Sequence, residues 1–130
     1  MSYDVYLRHE SGKTCTVPPF DEGGTRVLGG SDEAELNVTY NYGECYRLVP
    51  PISGIIFNGI VFNEIPFGIS LLDQKLARDV IPILEHVVAF LGDHPYTTDY
   101  WAPTPGNAGH AVAILLAWAR LYPDARFEVS

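Results

Sequence analysis

The sequence predicts an α+β domain: an antiparallel or mixed sheet from the N-terminal half and the C-terminal strand, packed against two C-terminal helices. Three observations predict it. Short alternating runs rich in β formers fill the first half, most clearly at residues 3–8 and 35–40. Two long stretches with helical apolar spacing follow, at 79–91 and 104–121. A last alternating run, Arg126-Phe127-Glu128-Val129, closes the chain. The 130 residues, 47% of them apolar, are expected to form a single domain, 1–130, with enough core to fold without staples.

Taken in order, YDVYLR at 3–8 reads as a first strand, and Glu10-Ser11-Gly12-Lys13 as a turn. Thr14 to Val17 can return as its hairpin partner, ended by Pro18 and Pro19, which lack the donor a ladder needs. Residues 20–34 are turn-rich, with TRVL at 25–28 as an edge strand or extended link between two Gly pairs. ELNVTY at 35–40 gives the clearest alternation: Leu36, Val38 and Tyr40 share one face, and Glu35, Asn37 and Thr39 the other. Residues 45–49 form a further run of undefined type, stopped by Pro50 and Pro51.

Residues 52–69 are apolar with Gly and Asn punctuation. Asn58-Gly59 is a hairpin signal, with Ile55-Ile56-Phe57 and Ile60-Val61-Phe62 as its arms. The same segment could instead pack as an irregular insertion on the sheet or on another subunit. A short turn is expected from Ser70, then a helix start at Asp79 that leaves Pro82 in the first turn, where its missing donor costs nothing. Gly92 is placed to end that helix. Thr104 as N-cap and Pro105 at the first position open the second helix, which runs to about Leu121. Gly109, Ala113 and Ala117 form a row of small residues on it, suited to close approach of another element.

Formal net charge is -8, from 16 acidic and 8 basic residues, with no basic tract. A phosphate backbone must be met by Lys and Arg, so nucleic acid is not an expected partner. The acidic balance serves solubility, or mimicry of DNA toward a basic protein. No stretch has the length of a membrane span and the start carries no basic-then-apolar leader, which points to a cytoplasmic protein without a membrane partner. Cys15 and Cys45 lack metal-like spacing; reduced, partly buried thiols are expected, with a disulfide as the alternative.

Chemistry-bearing motifs are sparse. Among His9, His86, His94 and His110 no pair has zinc-helix spacing, and neither a phosphate-binding loop nor a dinucleotide fingerprint is present. No metal, cofactor or catalytic residue is assigned. A dyad of His110 with Asp99 or Cys45 would need the fold to bring them together. Two segments do join aromatic rings to amides at element ends: Thr39-Tyr40-Asn41-Tyr42-Gly43 and the stretch from Asp99 to His110. If they meet, Tyr42, Tyr100 and Trp101 would be walls, with Asn41, Asn107 and His110 as polar contacts and Tyr40 beside them. The competing reading is local: Asn41 caps a strand end, Trp101 staples a loop and Asn107 satisfies first-turn groups.

LNVTYNYG at 36–43 and DYWAPTPGNAGHA at 99–111 resemble signatures of a family of small phage and prophage proteins. The Gly23-Gly24-Thr25 to Gly29-Gly30 stretch, the IPILEHVVAFLG run at 81–92 and the ending ILLAWARLYPDARFE at 114–128 are similar too, so the resemblance covers most of the chain. Residues 50–70 depart from it, being longer and more apolar than the family pattern. The resemblance implies a phage-related setting and assigns no residue roles. Three readings follow: a non-enzymatic accessory protein binding a small ligand or host protein through the aromatic and asparagine surface; a small enzyme using His110 with Asp99 or Cys45; or an assembly protein that forms homo-oligomers through residues 52–69.

Overall fold

The computed structural model describes residues 2–17, 33–57, 60–62, 64–92 and 102–130. Three strands form an antiparallel sheet in the order β2-β1-β5: β1 Ser2–Arg8, β2 Glu35–Thr39 and β5 Arg126–Val129. The central strand is β1. Its Tyr3 pairs with Val38 and its Leu7 with Phe127. Period-2 alternation puts Val5, Leu7, Leu36, Val38 and Phe127 on one face, and all five are fully buried. That face shares one core with helices α2 (Ala77–Leu91) and α3 (Pro105–Leu121) through Ile83, Leu84, Leu115 and Trp118. The chain is thus α+β, as its alternation and helical stripes predict.

The 14–17 segment returns beside β1 through single bridges, Arg8 to Thr14 and Thr16 to Glu33, rather than as a full strand. The Cys15 N–H donates to the Leu7 carbonyl at 2.9 Å and the Ala34 N–H to the Cys15 carbonyl at 2.8 Å, so this short piece ties the sheet edge together. The expected TRVL link and the Asn58-Gly59 turn lie outside the described residues. The arms of the latter do form an antiparallel pair, β3 Ile55–Phe57 and β4 Ile60–Phe62.

Two further expectations are corrected, and one open run is assigned. Strand β2 stops at Thr39, whose Oγ1 accepts from the Asn41 N–H at 3.2 Å and opens a 3₁₀ turn, Tyr40–Tyr42. The strand therefore ends one residue early, and Tyr40, in the turn, is 46% exposed while Leu36 and Val38 are fully buried. The turn continues into a short helix, α1 Gly43–Arg47, where the sequence left the type open. Finally, α2 begins at Ala77, ahead of Asp79, so Pro82 sits inside it and removes one helical hydrogen bond. The earlier start has tertiary acceptors: the Ala77 N–H donates to the Ala125 carbonyl (2.8 Å) and the Arg78 N–H to that of Pro123 (3.0 Å).

The other helix ends follow their signals. Gly92 closes α2 with φ 79°, and its N–H donates to the Val88 carbonyl at 2.8 Å. Thr104 Oγ1 accepts from the Asn107 N–H at 3.1 Å, with Pro105 at the first position of α3. The small-residue row on α3 meets its neighbour at Gly109. A Cβ there would overlap the Gly92 carbonyl oxygen and stand 3.1 Å from Leu91 Cβ.

A candidate ligand cleft

The two aromatic and asparagine segments are adjacent. Tyr46, on the helix that grows out of the 3₁₀ turn, donates its hydroxyl to the Ala108 carbonyl in the first turns of α3 at 3.1 Å. The neighbouring Cys45 thiol lies 3.7 Å from the Pro103 carbonyl. Both contacts brace the fold. Asn107 belongs with them: it is 2% exposed, and its Nδ2 donates to the Ala102 carbonyl at 3.0 Å, bracing the entry to α3. Tyr42 is fully buried and packs edge-on against Tyr46, with ring centroids 6.3 Å apart. Neither Tyr42 nor Asn107 is therefore on an open wall. Asn41 is exposed at the turn and His110 half-buried on α3. Tyr100 and Trp101 lie outside the described residues, as do Asp99 and His94.

Of the candidate residues, Tyr40 lines a concave surface. A cleft of about 350 Å³ opens between the end of β2, the start of β1, α1 and the segment before the 3₁₀ turn Ile69–Leu72. Tyr3 and Tyr40 form one wall, their ring centroids 4.6 Å apart at 59°. Tyr46 and Phe67 form the floor, edge to face at 5.2 Å. Thr39 and Arg47 complete the polar lining. Antiparallel pairing makes this site: Tyr3 is opposite Val38, so Tyr40, two residues further on, is its diagonal neighbour at one corner of the sheet.

Sequence reading found Tyr40 and missed Tyr3, Tyr46, Arg47 and Phe67. The pairing of 3–8 with 35–40 was a usable signal for Tyr3, since it brings the start of one run beside the end of the other. Nothing comparable marks Phe67, which lies in an irregular stretch between β4 and the Ile69–Leu72 turn.

The electrostatics of the cleft differ from those of the chain. Among the described residues no carboxylate lines it, although the chain carries net charge -8. Arg8, Arg78 and Arg120 pair with Glu128, Asp124 and Glu85, and Arg126 donates to the Gln74 carbonyl. Arg47, exposed at the end of α1, has no such partner among the described residues. A second groove, of about 480 Å³, runs beside His9 and Tyr122 and is lined by Glu10 and Asp124.

Nucleophilic chemistry has little support in the thiols. Cys15 and Cys45 are both buried and free. Burial pushes both thiols above the ordinary value, and the Glu44 carboxylate adds to the rise at Cys45. A thiol held neutral is a poor nucleophile. Among the described residues no group of three His, Cys, Asp or Glu side chains could hold a metal, and no helix is long and apolar enough to cross a membrane. No protein-family model, curated protein or solved structure matches the chain.

Proposed function

We propose that this chain is a non-enzymatic accessory protein of phage or prophage origin, acting in the host cytoplasm, which binds a small ligand through the surface around Tyr40 and Asn41. The observation that carries the reading is the Tyr3–Tyr40 cleft, whose floor is aromatic and whose rim holds an arginine with no intramolecular partner among the described residues. Its volume suits a small molecule, and its aromatic lining supplies contact area at low entropic cost. The phage setting rests on the resemblance of residues 36–43 and 99–111 to that family. A fragment screen read by amide shifts of the ¹⁵N-labelled protein tests the reading. Saturable shifts clustering at Tyr3, Thr39, Gly43 and Gly68 are expected. Shifts concentrated beside His9 and Tyr122 would move the site to the second groove and overturn it.

A second reading, self-assembly through residues 52–69, is favoured by one observation. Ile56, Ile60 and Val61 on the β3–β4 hairpin are all more than half exposed. The occupant is a second copy of this chain. Residues 52–62 carry no charge, so two chains of net charge -8 meet there with least repulsion. Among the described residues β3 and β4 pair with each other alone, which leaves open strand edges for a symmetric partner. Sedimentation at micromolar concentration tests it: a mass of twice 14.4 kDa supports assembly, and a stable monomer excludes it at that concentration.

A further inference from the structure

We infer that the cleft selects a small monoanionic ligand, a carboxylate joined to a flat ring; this rests on the binding reading above. Four features of the site carry the inference. Arg47 is a rim cation with no partner among the described residues, while four other arginines are held by carboxylates or a carbonyl. Among the described residues no acid lines the cleft, so nothing in that lining competes for the guanidinium or repels an anion. The floor, Tyr46 and Phe67, is apolar and buried, and the Tyr46 hydroxyl is already committed to the Ala108 carbonyl. The walls, Tyr3 and Tyr40, present ring faces and edges to a planar body.

A guanidinium binds a carboxylate through two parallel N–H donors, and its plane stacks on aromatic rings. One arginine balances one negative charge. A phosphate dianion would leave a charge uncompensated in a chain already at net charge -8. A volume of about 350 Å³ is at the small end for ligand sites and suits a single ring with a short acid arm.

Titration of the ¹⁵N-labelled protein with phenylacetate, phenylacetamide and phenol tests the assignment. Phenylacetate is expected to shift the amides of Thr39, Gly43 and Gly68 saturably, in the millimolar range for so small a ligand. Phenylacetamide should bind about tenfold more weakly, as one charge-assisted interaction is worth roughly that factor. Arg47→Gln should erase the preference for the acid, and Arg47→Lys should keep part of it. The Arg47 side chain is exposed and makes no hydrogen bond to the described residues, so both variants should melt with the parent. Equal binding of acid and amide would overturn the anion assignment and leave the binding reading standing. Cleft shifts from phenol without any from phenylacetate would do the same. Silence from all three compounds at these amides overturns both.

Discussion

Individual residues at the helix contacts give the sharpest stability tests. Gly to Ala in a helix ordinarily stabilises by about 0.5–1 kcal/mol. Gly109→Ala should reverse that sign, because the new methyl group would occupy the position of the Gly92 carbonyl oxygen, which is backbone and has little freedom to retreat. A loss of about 2–3 kcal/mol is expected in urea denaturation. Gly43→Ala is the contrast: its Cβ would meet Arg47 Nη2 at 3.6 Å, an ordinary contact, in a backbone already helical. That variant should be neutral or slightly stabilised. Tyr46→Phe should cost about 1 kcal/mol by the same assay, since it removes one buried hydrogen bond while the Ala108 carbonyl keeps its helical donor. The row Gly109, Ala113, Ala117 was legible as a close-approach stripe in the sequence. The partner at its tightest point was not, because Gly92 also carries the signal of a helix end.

Among the elements, those whose signals are local behave as read. The Thr104-Pro105 start of α3, the Gly92 end of α2 and the β3–β4 arms each depend on residues within a few positions. The start of α2 depends on Pro123 and Ala125, far along the chain, and no local cap announces it. Helix α1 has five residues, too few for helical periodicity to register. The thiols test how tightly these elements close. Cys15 sits under the 14–17 return and Cys45 under α1, both buried. Each native thiol is raised above its unfolded value of about 9. Below that value both states keep the proton and stability is unaffected. Above it the unfolded chain loses protons that the native chain retains, so stability falls as pH rises until the native thiols ionise as well. Denaturation midpoints should therefore decline above about pH 9. A disulfide-exchange reagent at neutral pH should modify either thiol only at the rate of unfolding; immediate modification of Cys45 would show that α1 opens readily.

For the molecule as a whole, acidity, fold and cleft fit a single account. A net charge of -8 disfavours a phosphate backbone, while the described lining of one cleft holds an arginine and no carboxylate. The sheet-and-helix architecture could be read from alternation and apolar stripes. The site could be read in part. Tyr40 stood out by its setting among aromatics and amides, whereas Tyr42 and Asn107 share that setting and serve the core. What separates them is burial: Tyr40, at the start of the turn that Thr39 caps, is 46% exposed, while Tyr42 and Asn107 are closed off from solvent. Tyr40→Ala is the decisive substitution for ligand binding in the cleft. A melting temperature within about 3 °C of the parent is expected, since the ring is half exposed, together with loss of the phenylacetate-induced shifts at Thr39, Gly43 and Gly68. Undiminished shifts in a folded Tyr40→Ala protein would contradict it.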